Sequence, residues 1–161
     1  MFKRNELNFL RLLFFASIGL LINMIRKPPL KEWLIIFLFK SYIASILDNL
    51  AVKKGYITYP VRIFRTFDIS VLFSYLIFPV TCVYYNHASK DSKLLGIVIK
   101  CLLFSIPSAI AEHFIEKNTK LVQYKKGWNS YYSFFSIAFS FLFVRLFMAI
   151  VRKAEKVQAN N

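Results

Sequence analysis

The sequence predicts an all-α integral membrane protein, a polytopic bundle of about five transmembrane helices. Hydrophobic side chains make up 57% of the 161 residues, and the mean hydropathy is +0.49. Five apolar stretches occupy most of the chain, at residues 7–25, 33–52, 69–88, 94–115 and 128–151. Each approaches the ~20 residues that a helix needs to cross about 30 Å of hydrocarbon. We therefore expect residues 1–161 to form a single membrane-embedded helical domain.

The charge balance is strongly basic, with 22 Lys and Arg residues against 8 Asp and Glu residues and a net charge of +14. In a soluble protein this excess would point to nucleic acid. Here the cations lie mainly between the apolar stretches, where they meet anionic lipid headgroups and help to fix the orientation of the chain. We therefore expect the lipid bilayer, and anionic lipids in particular, as a partner, and no nucleic acid.

The first two stretches are separated by a short basic turn. Arg26 and Lys27 are followed by two prolines, which cannot continue a helix. Trp33 then opens the second stretch at the headgroup boundary. Lys40 and Asp48 interrupt this second stretch, so it is the weakest of the five candidate spans. If it does not span, the bundle has four transmembrane helices.

The remaining stretches are bounded by aromatic, polar or basic segments. The linker at residues 53–68 is basic and aromatic, which favours a position at the membrane interface. Pro79, near the middle of the third stretch, should bend that helix. A polar loop at residues 86–93 precedes the fourth stretch, and Trp128 opens the fifth after a basic connector. The loops on the N-terminal side carry slightly more Lys and Arg, so we expect a cytoplasmic N-terminus in the cell membrane.

Three cations lie within the apolar stretches, and charges inside a membrane are functional candidates because they are costly to bury. On five alternating helices, Lys40, Lys100 and Arg145 form a layer roughly 9–12 Å inside the face opposite the N-terminus. This layer predicts a site for an anionic headgroup or anionic substrate. The alternative is that each side chain extends separately to the nearby interface.

Four acids lie near helix ends on the N-terminal side of the membrane: Asp48, Asp68, Glu112 and Glu116. Lys and Arg are abundant on the same side, so this acidic collar favours a structural network of salt bridges with residues such as Arg62. The alternative is a cation or proton site formed by Asp48, Asp68 and Glu112.

The acids do not form a recognisable metal-binding or catalytic pattern. Helical spacing places Glu112 and Glu116 on one face, whereas His113 is rotated by about 100° from Glu112. These three residues therefore make a poor metal site. An intramembrane lipid enzyme would have only Asp48, Glu112 and His113 as acid–base groups. We predict no metal, no cofactor and no catalytic residues.

Several short motifs follow one another along nearly the whole chain. Their positions are Arg26, Trp33, Asp48, Asn49, Tyr59, Pro60, Arg62, Glu112, Glu116, Thr119, Trp128 and Arg145. With these residues in this order, the chain resembles an uncharacterised family of small multispanning membrane proteins common in endospore-forming bacteria. A Trp often stands in that family where this chain has Tyr124. The resemblance implies a multispanning membrane topology and supplies no established activity.

The sequence favours a non-enzymatic role as a subunit, scaffold or helper in the cell envelope, acting with another membrane protein or with further copies of itself. The alternative is a component of a permeation or anionic-ligand pathway that uses the intramembrane charges. An intramembrane enzyme that acts on lipid is the third hypothesis.

Overall fold

The chain forms one bundle of five α-helices in a computed structural model that describes residues 2–64 and 66–159. The helices are α1 (Phe2–Ile25), α2 (Leu30–Lys53), α3 (Phe78–Ala88), α4 (Leu94–Asn118) and α5 (Ser130–Ala159). Two short strands, β1 (Ile57–Thr58) and β2 (Gln123–Tyr124), lie in the connectors before α3 and before α5. The prediction of an all-α fold is therefore confirmed for the described residues.

Within the described residues, four helices are long and apolar enough to cross a membrane: α1 from Arg4 onward, α2, α4 and α5. Only 17–33% of the most apolar window of each is buried within the protein, so most of its apolar surface faces outward. The outward faces carry large side chains such as Phe15, Leu103 and Phe139, which are 63–70% exposed. Such surfaces are too apolar for water and suit the lipid of a bilayer.

The second stretch, the weakest candidate span because of Lys40 and Asp48, forms a helix long and apolar enough to cross a membrane, and the third stretch is the irregular one. α2 runs unbroken past both charges, whereas the third stretch consists of a π-helical turn at Phe73–Ile77 followed by the 11-residue α3. Pro79 lies in the first turn of α3. Because proline has no N–H and its ring collides with the carbonyl four residues earlier, the preceding turn widens to accommodate it.

Contacts between the connectors show that successive helices run in alternating directions. At one end of the bundle, called the first end, β1 pairs antiparallel with β2, and Glu6 near the N-terminus accepts a hydrogen bond from the Lys120 backbone N–H at 2.8 Å. At the other end, the second end, the Trp33 Nε1–H donates to the Lys27 carbonyl at 3.1 Å. There Arg152 also holds Glu32 through two hydrogen bonds of 2.8 and 3.1 Å.

Two clusters of buried apolar side chains stabilise the bundle. The cluster toward the first end includes Leu10, Leu72 and Leu121, and the cluster toward the second end includes Trp33 and Phe141. The third stretch contributes residues to both clusters, and most of its residues between Leu72 and Asn86 are buried, so it is the central element of the bundle. Between these clusters the bundle contains a polar cavity.

Candidate functional site

The polar cavity lies among α2, the π-helical turn with the start of α3, the later part of α4 and the first half of α5, and it has a volume of about 70 Å³. This volume is large enough for several water molecules. One Lys and two acids line it, and tyrosine and serine hydroxyls surround them. We define the polar cavity by its polar lining: Lys40, Asp48, Tyr59, Ser74, Glu112, Trp128, Ser133, Ser136 and Ser140.

Two helix faces create this space. On α2, Lys40, Ala44 and Asp48 are spaced four residues apart, so they share one face and the charged groups are separated by about 12 Å along the axis. The small side chain of Ala44 leaves the room between them. On α5, Ser133 and Ser140 lie two turns apart and direct hydroxyls to the same space.

Asp48 is held by hydroxyl groups from two other elements. Its Oδ1 accepts a hydrogen bond from the Tyr59 hydroxyl at 2.6 Å, and its Oδ2 accepts one from the Ser74 hydroxyl at 2.6 Å. Burial, followed by the negative charge of Asp48, raises the pKa of Tyr59, so its hydroxyl stays protonated and donates. Ser74 belongs to the π-helical turn, which therefore helps to form the site.

Glu112 is held in a similar way on the opposite wall. Its Oε1 accepts hydrogen bonds from the Tyr124 hydroxyl at 3.0 Å and from the Ser133 hydroxyl at 3.1 Å. The Trp128 Nε1–H donates to the Ser133 oxygen at 3.0 Å and orients it. Burial, with the neighbouring charge of Glu112, raises the pKa of Tyr124 and keeps that hydroxyl a donor.

Lys40 is almost completely buried, with 3% exposure, and it makes no ion pair among residues 2–64 and 66–159. Its Nζ donates to the Ser140 hydroxyl at 2.6 Å and lies 5.2 Å from the centre of the Phe141 ring. The aromatic face and the hydroxyl give a buried ammonium partial compensation for lost water.

The polar cavity therefore brings two carboxyl groups and one amine together, and none of the three forms an ion pair with another described residue. Hydroxyl donors provide hydrogen bonds to each carboxyl group, and the low dielectric of the interior strengthens any interaction with a mobile cation. Lys40 can neutralise only one of the two acids. The arrangement can therefore bind a further proton or a small cation.

The other two deep cations belong to a different part of the molecule. Lys100 Nζ donates to the Ala88 carbonyl at 2.6 Å and to the Ser92 hydroxyl at 2.8 Å. Arg145 Nη2 donates to the backbone carbonyls of Ser89 and Lys90 at 3.1 and 3.0 Å. Both side chains thus stabilise the loop between α3 and α4 at the second end, and the structure separates them from Lys40.

The four residues of the acidic collar also lie in different environments. Asp68 is exposed and pairs with Arg62 at 3.6 Å, whereas Glu116 is half-buried one turn beyond Glu112. The salt-bridge network expected for the collar does not include Asp48 or Glu112 in the part of the chain that the structure describes, since hydroxyl groups hold both.

The remaining motif positions have local structural roles. Asn49 donates a hydrogen bond to the Ser45 carbonyl of α2 at 2.8 Å, and Thr119, directly after α4, donates one to the Ile115 carbonyl of α4 at 2.6 Å. The Trp128 ring stacks on Tyr56, with centroids 5.6 Å apart, and so joins two connectors at the first end. Arg26 and Pro60 are exposed.

Sequence reasoning missed the hydroxyl groups that hold the two acids. Ser74, Ser133 and Ser140 carry no pattern of their own, because serine is frequent in membrane helices that pack closely. The alignment of Lys40, Ala44 and Asp48 on one helix face is a signal that could have pointed to the cavity. Tyr124, which departs from the pattern of the resembling family, supplies a hydroxyl to Glu112.

Among residues 2–64 and 66–159, no group of three or more His, Cys, Asp and Glu side chains is placed to hold a metal ion. No family model, curated protein or solved structure matches this chain. The resemblance to a family of small membrane proteins common in endospore-forming bacteria therefore stays a prediction, and the geometry of the polar cavity is the basis on which a function can be inferred.

Proposed function

We propose that the protein is a non-enzymatic component of the cell envelope that binds a proton or a small monovalent cation in its polar cavity. The observation that carries the proposal is that Asp48 and Glu112 line one cavity, held by hydroxyl groups and without an ion pair among the described residues. This function belongs to the permeation or ligand-pathway class. The cavity favours a cation over an anion because it has two carboxyl groups and one amine.

Lys40 supplies an internal cation in this proposal. When no ligand is bound, its ammonium group partly balances the two carboxylates across the cavity. A proton or small cation that binds at the acids removes the need for this balance. Binding of the external cation and the charge of Lys40 are therefore expected to oppose each other.

The test measures the thermal unfolding of the purified protein in lipid nanodiscs with increasing methylammonium chloride, at constant ionic strength. A ligand that binds only the folded state raises the melting temperature in proportion to the logarithm of its concentration. We expect methylammonium to raise it, and tetramethylammonium, which has the same charge but no N–H to donate to the two carboxyl groups, to raise it much less.

Matched variants locate the site. Asp48→Asn and Glu112→Gln should remove the methylammonium effect. Asp68→Asn and Glu116→Gln make the same chemical changes outside the polar cavity and should retain the effect. A methylammonium effect of equal size in all four variants, or its absence from the unaltered protein, would contradict the proposal.

The proposal includes a topology of five transmembrane helices with the N-terminus in the cytoplasm. The alternating directions of the helices support it, because the connectors that contain β1 and β2 lie together at the first end. The third stretch then crosses the membrane inside the bundle, where protein and not lipid surrounds its irregular turn. Roles as a subunit or scaffold, the participation of anionic lipids and the absence of enzymatic activity remain predictions.

A further inference from the structure

A second cavity, called the lateral groove, is also lined by Glu112 but otherwise mostly by other residues than the polar cavity. It lies among α1, α4 and the third stretch, and its volume is about 290 Å³, compared with about 70 Å³ for the polar cavity. Its apolar walls include Leu13 from α1, Ile77 from the π-helical turn and Pro107 from α4. Glu112 and Phe78 line both cavities, so Glu112 stands where they meet.

Among the residues that the structure describes, Glu112 is the one ionisable residue that lines the lateral groove. The two hydroxyl groups in the lining, of Thr81 and Ser108, donate to carbonyls of their own helices at 2.8 and 2.7 Å. Of the two Glu112 oxygens, Oε1 accepts both hydrogen bonds from the polar cavity, and no hydrogen bond reaches Oε2 within the described residues. The groove thus combines apolar walls with a single acidic group at its inner end.

We propose that the lateral groove binds the apolar tail of an amphipathic amine whose ammonium group binds Glu112. This inference rests on the proposed function and specifies the class of ligand that the same acid accepts. Charge complementarity selects the headgroup, because a carboxylate in apolar surroundings attracts a cation and excludes an anion. The volume of the groove selects the tail, since each buried methylene of an alkyl chain contributes to binding.

The route of the ligand follows from the same geometry. Two of the helices that form the walls, α1 and α4, have apolar windows that are only 17% buried. An amphipathic amine dissolved in the bilayer therefore reaches Glu112 from the lipid, between these helices. A small, water-soluble cation has no apolar tail to place in the groove, so it binds in the polar cavity alone.

The experiment compares hexylammonium with methylammonium in the nanodisc unfolding assay, with hexanol as the neutral probe of the same tail. We expect hexylammonium to reach half of its maximal effect at about one-tenth of the methylammonium concentration, because the tail gains contacts in the groove. Hexanol should give no comparable shift. If hexylammonium is no better than methylammonium, the inference is wrong.

Two variants of α4 and α5 provide the control. Ala111 is an exposed residue of α4 that lines the groove, and Ala111→Phe should fill it. This variant should lose the tenfold advantage of hexylammonium and keep the response to methylammonium. Ala149→Phe, on an exposed part of α5 outside the groove, should keep both responses. If Ala111→Phe does not fold, Leu13→Trp fills the groove from α1 and carries the same expectation.

The outcomes separate the two proposals. A methylammonium response without a preference for the longer amine overturns the lateral groove and leaves the polar cavity intact. If hexylammonium keeps its advantage in both groove-filling variants, the proposed binding of the tail in the groove is also wrong. Partitioning of hexylammonium into the lipid would then explain its advantage over methylammonium. Loss of the methylammonium response from the unaltered protein overturns the proposed function itself.

Discussion

At the scale of single residues, the two acids of the polar cavity are distinguished by the groups that hold them. Asp48 and Glu112 each accept hydrogen bonds from one tyrosine and one serine, whereas the exposed Asp68 pairs with an arginine. A hydroxyl donor stabilises a carboxylate without neutralising its charge. The acids therefore stay available to a mobile cation.

A first prediction concerns Tyr59, whose raised pKa links the stability of the fold to alkaline pH. In the unfolded chain the hydroxyl ionises near its ordinary value of 10.0, whereas in the folded protein it stays protonated. Above that pH the unfolded state holds fewer protons, so the free energy of unfolding falls by about 1.4 kcal/mol per pH unit. Tyr59→Phe should make the decline of the melting temperature shallower at alkaline pH.

The control for this prediction is Tyr131→Phe. The Tyr131 side chain lies on the surface with 75% exposure, so its removal should leave the alkaline decline as steep as in the unaltered protein. At neutral pH, Tyr59→Phe should itself cost about 1–3 kcal/mol, because Asp48 Oδ1 loses its donor. If the melting temperature declines equally steeply in all three proteins, Tyr59 does not link the stability of the fold to alkaline pH.

At the scale of elements, the π-helical turn before Pro79 is the feature that most affects the site. The widened turn accommodates the proline ring and contains Ser74, which donates to Asp48. A regular α-helix through the same residues would rotate Ser74 relative to the helix that follows, by roughly 100° for each residue of shift.

Pro79→Ala is therefore predicted to alter the site more than the fold. The alanine N–H can bond to the carbonyl four residues earlier, so the turn can relax to α-helix. The variant should remain folded in detergent, and its methylammonium response should weaken several-fold because Asp48 loses the Ser74 donor. Pro107→Ala, in α4, removes a proline from a helix that is already continuous and should keep the response. Equal responses in the two variants would rule out a role for the π-helical turn.

The elements also show what the sequence could and could not predict. Helix positions followed from apolar length, and the turn at Pro28 and Pro29 was readable from proline chemistry. Lys40 and Asp48 made the second stretch the weakest candidate span in the sequence, because hydropathy averages over all faces of a helix. Lys40 and Asp48 lie on one face that is turned to protein, so α2 stays regular. A π-helical turn depends on tertiary packing and has no local signature beyond its proline.

At the scale of the whole molecule, the orientation of the bundle is a prediction with a direct measurement. Single cysteines are introduced into a protein in which Cys82 and Cys101, both buried, are replaced by Ala. Lys125→Cys at the first end should be protected in intact cells from a membrane-impermeant maleimide, and Lys90→Cys at the second end should react. The reverse pattern would place the N-terminus outside, and labelling of both from outside would contradict five spans.

The grouping of the charged residues is the property of the whole molecule that sequence reasoning predicted least well. Depth along each helix places Lys40 in the same layer as Lys100 and Arg145, but depth does not say which face each side chain occupies. In the structure, Lys100 and Arg145 bind loop carbonyls at the second end, and Lys40 faces Asp48 and Glu112. Rotation about the helix axis and the choice of neighbouring helices are set by packing.

The charge selectivity of the polar cavity is tested most directly by a thiol placed inside it. Ala44→Cys, in the same cysteine-free background, puts a thiol between Lys40 and Asp48 on the cavity face of α2. Its rate of modification is measured in nanodiscs with the cationic aminoethyl and the anionic sulfonatoethyl methanethiosulfonate. We expect the cationic reagent to react at least about tenfold faster and methylammonium to slow it. Equal rates for the two reagents, or a rate indifferent to methylammonium, would contradict a cation site between these helices.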